Sequence, residues 1–256
     1  MTAIVETDAR DDPDELTLSP AQCRFFSEEG YLSVPSIGAE AELEALRDFF
    51  DEVFEHPERH GMRKVSRNPA GDGGLEQIHS AELKFPHLLE TRFFRNARHA
   101  AAQLLGVTVE ETTGYNHMLR KSAHNGAVTP WHQDEEGWAL GTPARLFVHN
   151  ALNCWMPLDQ ATVESGCMQF IPRSHRSEGY HPHKDRGDGT YVRIAQDVDE
   201  TRAVACPTPA GGATFHHCRT LHYSGPNTSG NDRRAMIFVF HALPTRLRAP
   251  GSHVPG

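Results

Sequence analysis

The hydrophobic period of the chain changes part-way along, and this change limits the possible folds more than any other feature. Up to about residue 105 the apolar residues recur at helical spacing; from Val107 onward they come in short runs cut by Gly, Pro, Asn and Asp. Ser19-Pro20 reads as a helix start, because Ser can cap the free amides and Pro suits the first helical position. That helix is predicted to end at Gly30, with a short strand over 31–34. A second helix is predicted over about 39–54, with Leu43, Leu46, Phe50 and Val53 on one face, and a third over about 90–105. Strand-like runs follow at 113–119, 129–133, 146–156, 167–171, 203–205, 213–217 and 235–240. Helices first and strands after predict a mainly β protein, a barrel or jelly roll carrying an N-terminal helical layer. The expected organisation is a single domain, 1–256. It comprises a disordered tail over 1–15, a mostly helical layer over 16–106 and a jelly-roll core with a metal site over 107–245.

Composition enters as a filter. With 38% hydrophobic and 23% charged residues the chain reads as a globular protein in water. No run approaches the roughly 18 apolar residues that a spanning helix needs, and neither terminus reads as a signal peptide or a peroxisomal address. The formal charge of −9 disfavours nucleic acid and anionic membranes as partners and leaves a small molecule as the expected one. Five cysteines, an odd number without CxxC spacing, point to a reduced, cytoplasmic setting. Oligomeric state is not legible.

Of the 17 histidines, the question is which converge. An oxygen-activating iron needs protein ligands on one side and open positions on the other, which two His and one carboxylate supply. In a strand, residues i and i+2 share a side, so His132-Gln133-Asp134 can place an imidazole and a carboxylate on one ion. The rival His183-Lys184-Asp185 sits in a polar loop without strand period and is disfavoured. The third ligand must come from a distant strand, and His216, His217 and His222 are the candidates. His222 is preferred because it opens a strand end running into Gly225-Pro226, with Arg233 following at the start of an apolar strand. His216 and His217 read as structural, one pointing in and one out at a strand edge.

At this point the chain resembles the phytanoyl-CoA dioxygenase family, which includes ectoine hydroxylases and many natural-product oxygenases. The matching residues are Leu18-Ser19-Pro20 through Phe26 with Gly30-Tyr31-Leu32, the strand Asn116-His117-Met118-Leu119-Arg120-Lys121, His132-Gln133-Asp134, Trp155, the run from Gly166 to His175, His222-Tyr223-Ser224-Gly225-Pro226-Asn227 and Arg233, in that order over about residues 16–242. The resemblance implies a double-stranded β-helix and iron(II) held by His132, Asp134 and His222. It further implies that Arg233, helped by Ser224, grips the distal carboxylate of 2-oxoglutarate, and that Trp155 packs against this co-substrate. A guanidinium fork suits a carboxylate bidentately; Arg234 should point the opposite way. The implied activity is an iron(II)- and 2-oxoglutarate-dependent dioxygenase that consumes O2, with ascorbate as reductant in vitro. It would oxidise an unactivated C–H by hydroxylation, desaturation or ring closure. Retention of Asp134 argues against halogenation. Two alternatives stay open: a jelly-roll enzyme using another divalent metal for non-oxidative chemistry, and a non-catalytic small-molecule binder.

The substrate is expected to be a polar metabolite or natural-product intermediate. A fatty acyl-CoA is disfavoured, since no basic cluster offers itself to its phosphates. Residues 75–84, Asn116, Arg120, 135–138 and the loop from Tyr180 are expected to shape the pocket, with Glu135 and Glu136 admitting an amine. The stretches 58–74 and 180–199 are long for plain connections and are expected to supply a lid.

Overall fold

Ser19 caps the first helix as its position predicts. Its hydroxyl accepts from the Gln22 amide while the Gln22 side chain accepts from the Ser19 amide, and Gly30, left-handed at φ 84°, ends the helix. The computed structural model describes residues 15–62, 66–67, 75–125, 127–135, 150–178, 181–185 and 194–243. Expectations for 1–14, for 136–138, for the beginning of the run at 146, for most of the 58–74 stretch and for 180 and 186–193 of the second lid stretch lie outside them. Three α-helices are described: α1 (Pro20–Glu29), α2 (Glu40–Glu55) and α3 (Arg92–Leu105). The strands are β1 (Tyr31–Val34), β2 (Ser66–Arg67), β3 (Leu75–Ile78), β4 (Thr112–Lys121), β5 (Thr129–His132), β6 (Ala151–Pro157), β7 (Met168–Phe170), β8 (His183–Lys184), β9 (Ile194–Ala195), β10 (Val204–Cys206), β11 (Ala213–His217), β12 (His222–Ser224) and β13 (Arg233–Ala242).

The strands form a seven-stranded sheet in the order β1-β11-β6-β13-β4-β3-β2 and a four-stranded sheet in the order β10-β7-β12-β5. Every pairing in both is antiparallel. Two antiparallel sheets facing one another, with strands crossing between them, make a double-stranded β-helix, and the mainly β expectation holds. β1, expected as a strand, and β2 and β3 all come from the segment read as mostly helical layer, and they extend the large sheet.

Strand alternation splits the large sheet into two faces. One carries Leu152, Cys154 and Met156 of β6, Phe215 of β11, and Met236, Phe238 and Phe240 of β13. It packs on Leu43, Phe50 and Val53 of α2 and on Phe94, Ala97 and Ala101 of α3. Phe94 meets Phe238 edge-on at 5.5 Å between ring centres. The other face looks toward the small sheet across a second cluster that includes Tyr31, Trp155, Cys167, Phe170 and Ala235. Tyr31 stacks on Phe170 at 4.9 Å. Between those sheets the candidate site lies.

Candidate active site

The sheet register brings the two site histidines together. β12 pairs with β5 so that His222 lies directly opposite His132, and their ring centres are 4.0 Å apart. β5 is an edge strand, which is where Pro130 can be accommodated. Asp134 follows just past the end of β5. Nε2 of His132 is 3.6 Å from its Oδ1, and Nε2 of His222 is 3.6 Å from its Oδ2. The ligand atoms of His132, Asp134 and His222 all lie within 4.8 Å of one another, as a metal-binding group requires. The intervening Gln133 points away: its amide donates to the Arg219 carbonyl at 2.6 Å, and its Oε1 accepts from the His181 amide at 3.1 Å. Trp131 turns outward and stacks on Tyr223.

The tautomers suit a metal. The Pro130 carbonyl lies 2.7 Å from Nδ1 of His132, and the Thr220 carbonyl 2.9 Å from Nδ1 of His222. A carbonyl only accepts, so each Nδ1 bears the proton and each Nε2 offers its lone pair. Burial pushes the Asp134 carboxyl up, but His222, His132 and His216 together outweigh it and hold the group well below its ordinary range. Burial and the nearby His132 hold His222 well below the ordinary histidine value, so it stays neutral.

A second cluster stands further along the same interior face. Asn153 and Trp155 alternate on β6; Asn153 donates to Asp134, and the ring of Trp155 lies 5.1 Å beneath the Arg233 guanidinium. Arg233 is 1% exposed, and burial lowers its pKa to about 10. Opposite it on β4 is Lys121, fully buried, whose Nζ donates to the Gly225 carbonyl at 2.6 Å and to Ser224 Oγ at 3.2 Å. Burial first, and Arg233 second, hold Lys121 well below the usual lysine value. Ser224 itself donates to the Gly166 carbonyl at 2.9 Å. Gly166, at φ 78°, needs its missing side chain, since a Cβ there would strike the Gly225 carbonyl oxygen. Among the described residues no carboxylate lies within ion-pair distance of Lys121 or Arg233. Arg234 points to the other face as expected, with Asp159 and Asp51 as its partners at 2.6 Å and 2.7 Å.

Several expectations need correction. β11 is not an edge, because it lies between β1 and β6. His216 points inward, one of the pair in and one out as expected: it is 2% exposed, and its Nε2 stands 3.4 Å from Asp134 Oδ2. Only His217 faces outward, toward His175. The rival His183 and Asp185 fall in or beside β8, whose partner is β9, and are not part of the metal-binding group; a two-residue strand forms where none was expected. Asn116 and Arg120 share the helix-side face of β4, where Arg120 covers Phe54 of α2 and pairs with Glu76, so they do not shape the pocket. Glu135 is wholly buried beside Arg219 at 3.5 Å and is not placed to draw in an amine. Asn153 carried no sequence signal that distinguished it from sheet interior, and Lys121 reads only as part of the strand before the metal motif.

Two imidazoles and a carboxylate on one side of a β-helix cavity are the donor set of a non-haem iron oxygenase. The model of the phytanoyl-CoA dioxygenase family matches residues 26–235, and the chain belongs to that family. The protein is similar to EvdO2 from Micromonospora carbonacea, solved with 2-oxoglutarate: 33% identity, TM-score 0.76, covering 93% of this chain and 96% of that one. It is also similar to the carbocyclase SnoK from nogalamycin biosynthesis, at 26% identity and a TM-score of 0.69, over 94% of both chains. L-Proline trans-4-hydroxylase of Streptomyces griseoviridis is 30% identical over 85% of this chain and 84% of its own. The protein is an iron(II)- and 2-oxoglutarate-dependent dioxygenase with O2 as co-substrate, which sets aside both alternatives left open by the sequence. Among the described residues no helix is long and apolar enough to cross a membrane.

Proposed function

We propose that His132, Asp134 and His222 hold the iron, and that Arg233, with Ser224 and Trp155 beside it, receives the distal carboxylate of 2-oxoglutarate. The observation that carries this reading is the pair of buried cations. Lys121 and Arg233 lie in the interior without a carboxylate partner among the described residues, and a positive charge there is costly unless an anion meets it. Asn153 touches Asp134 and Trp155 touches Arg233, so the triad and the cations are separated by about two strand residues, roughly 7 Å. A five-carbon dicarboxylate bridges that gap. Buried polar atoms without a hydrogen-bond partner lie along it: Thr214 Oγ1, both ring nitrogens of His216, Asn153 Oδ1 and Arg233 Nε. A bound dicarboxylate would give them partners. Lys121 joins the grip as a second cation.

Iron(II), 2-oxoglutarate and O2 together supply an oxidant strong enough for an unactivated C–H, with succinate and CO2 released. The chain's own part is to orient the reactants and exclude water. Toward the substrate, β4 offers a wall of uncharged donors. The Ser80 amide donates to Nδ1 of His117 at 3.0 Å, so Nε2 carries the proton. Burial, with His79 adding to it, lowers the His117 pKa to about 4. Burial first, then Asp134 and Glu82, push the Tyr115 phenol up to about 12. The rings of His79 and Tyr115 meet His117 at 4.8 Å and 5.2 Å, and Tyr115 stacks on His241 at 5.9 Å. Neutral N–H and O–H groups beside flat rings suit an uncharged, oxygen-bearing substrate, a small polar metabolite or natural-product intermediate. The likeness to EvdO2 and to a biosynthetic carbocyclase supports the latter, with hydroxylation or ring closure as the outcome. A cytoplasmic setting belongs to the same reading and is supported by five free cysteines. The test is succinate formation with iron, ascorbate, 2-oxoglutarate and a panel of oxygen-rich neutral compounds beside acidic and amine analogues. Stimulation by neutral members supports the reading; stimulation by the charged analogues alone overturns its substrate part.

A further inference from the structure

The two carboxylate oxygens of Asp134 are treated differently. Oδ2 accepts a 2.7 Å hydrogen bond from Asn153 Nδ2, and His216 Nε2 stands 3.4 Å from the same oxygen. Asn153 on β6 and His216 on β11 are cross-strand partners, so the sheet itself aligns these two donors on one atom. They are 6% and 2% exposed, with little water within reach to replace either. The triad alone does not discriminate between the oxygens: His132 Nε2 is 3.6 Å from Oδ1 and His222 Nε2 is 3.6 Å from Oδ2.

We propose that Asn153, seconded by His216, is a positioning residue that holds Oδ2 away from the iron, so that Asp134 gives the metal one oxygen and not two. The inference rests on the iron and 2-oxoglutarate reading above and concerns how that site stays open. An octahedral ion held by two imidazoles and one carboxylate oxygen would keep three positions free, of which a keto acid chelate would take two. The last is where O2 must enter. A carboxylate can bind a metal through one or both oxygens, and the second mode would close that position. Asn153 occupies the oxygen that would do so. The ring of His216, its Nε2 3.4 Å from the same oxygen, needs only a small turn to join it.

The experiment loads the full chain anaerobically with iron(II) and 2-oxoglutarate and adds nitric oxide as a probe of the open position. The charge-transfer absorption of the chelate reports 2-oxoglutarate binding, and the EPR signal of the iron nitrosyl reports access. Asn153→Leu should keep the absorption yet need about 10-fold or more nitric oxide for the same signal, the scale of effect that outer groups exert on metal sites. His216→Phe added to it should deepen the loss, whereas His216→Gln, which retains a donor, should behave like wild type. If Leu at this place unfolds the protein, Asn153→Ala asks the same question with a smaller side chain. Wild-type nitric oxide uptake in the Asn153 variant, with the absorption intact, overturns the proposal. Failure of wild type to show the absorption overturns instead the underlying reading, and the proposal with it.

Discussion

The two faces of the seven-stranded sheet are built from the same strands and are both buried, but their chemistry is opposite. On β6, Leu152, Cys154 and Met156 look toward the helices, while Asn153 and Trp155 look inward. On β13, Phe238 packs on Phe94 while Arg233 lies over Trp155. The helix side is close-packed and mostly apolar, its charged residues Arg120 and Arg234 being paired with Glu76, Asp159 and Asp51, and burial there stabilises the fold. The inner side carries buried cations and unpartnered polar atoms, a cost in the ligand-free protein that ligands would offset. A period of two thus lets one strand serve stability on one side and chemistry on the other, residue by residue.

Substitutions should separate the faces, the largest effect coming first. Phe238→Ala removes a large side chain that is 1% exposed, at a cost of about 3–5 kcal/mol in denaturant unfolding. Metal affinity of the protein that stays folded should be unchanged; a loss of metal affinity as large as the loss of stability would merge the two faces into one. Arg233→Ala inverts the pattern. Calorimetry with 2-oxoglutarate should show a loss on the order of 2–5 kcal/mol of binding, while the ligand-free protein keeps its stability or gains some, because an uncompensated buried charge has gone. A ligand-free protein strongly destabilised by this change would contradict the comparison.

A smaller effect comes from pH. His117 inside and His217 outside are both lowered to about 4, burial being the first cause in each. Their folded pKa lies below the ordinary 6.5, so the unfolded chain takes up protons first as pH falls. Their stabilising contribution is full above that value and is lost as pH drops toward about 4, each by on the order of 2–3 kcal/mol. Unfolding midpoints at several pH values should flatten in His117→Phe and in His217→Phe alike; only the inner substitution should alter substrate-stimulated turnover. Smallest is Arg234→Ala, which loses its pairs with Asp159 and Asp51 for about 1 kcal/mol and leaves 2-oxoglutarate affinity intact.

Legibility from sequence followed how local each signal was. The cap at Ser19, the stop at Gly30 and the alternation around His132 depend on neighbours in the chain, and each was readable. The opposed directions of Arg233 and Arg234 followed from strand period alone. The pairing of His222 with His132 is a register, and only its plausibility could be argued. The contact of His216 with Asp134 was not legible, because it depends on β11 lying between β1 and β6, a topological fact that no local pattern carries. The burial of Lys121 at the site was not readable for a similar reason. A lysine at a strand end reads as a solvated terminus, and only the approach of Ser224 and Gly225 from the facing sheet encloses it. Glu135 misled in the other direction, since a glutamate beside the metal motif suggested solvent or substrate and proved to be buried beside Arg219.

The most direct test of the account is the stoichiometry of iron bound under anaerobic conditions by wild type, Asp134→Ala and Asp185→Ala, with circular dichroism to verify that each is folded. The account predicts one iron per chain in wild type and in Asp185→Ala, and none retained by folded Asp134→Ala. Iron held by Asp134→Ala as tightly as by wild type, or lost on changing Asp185, would contradict the placement of the metal between β5 and β12.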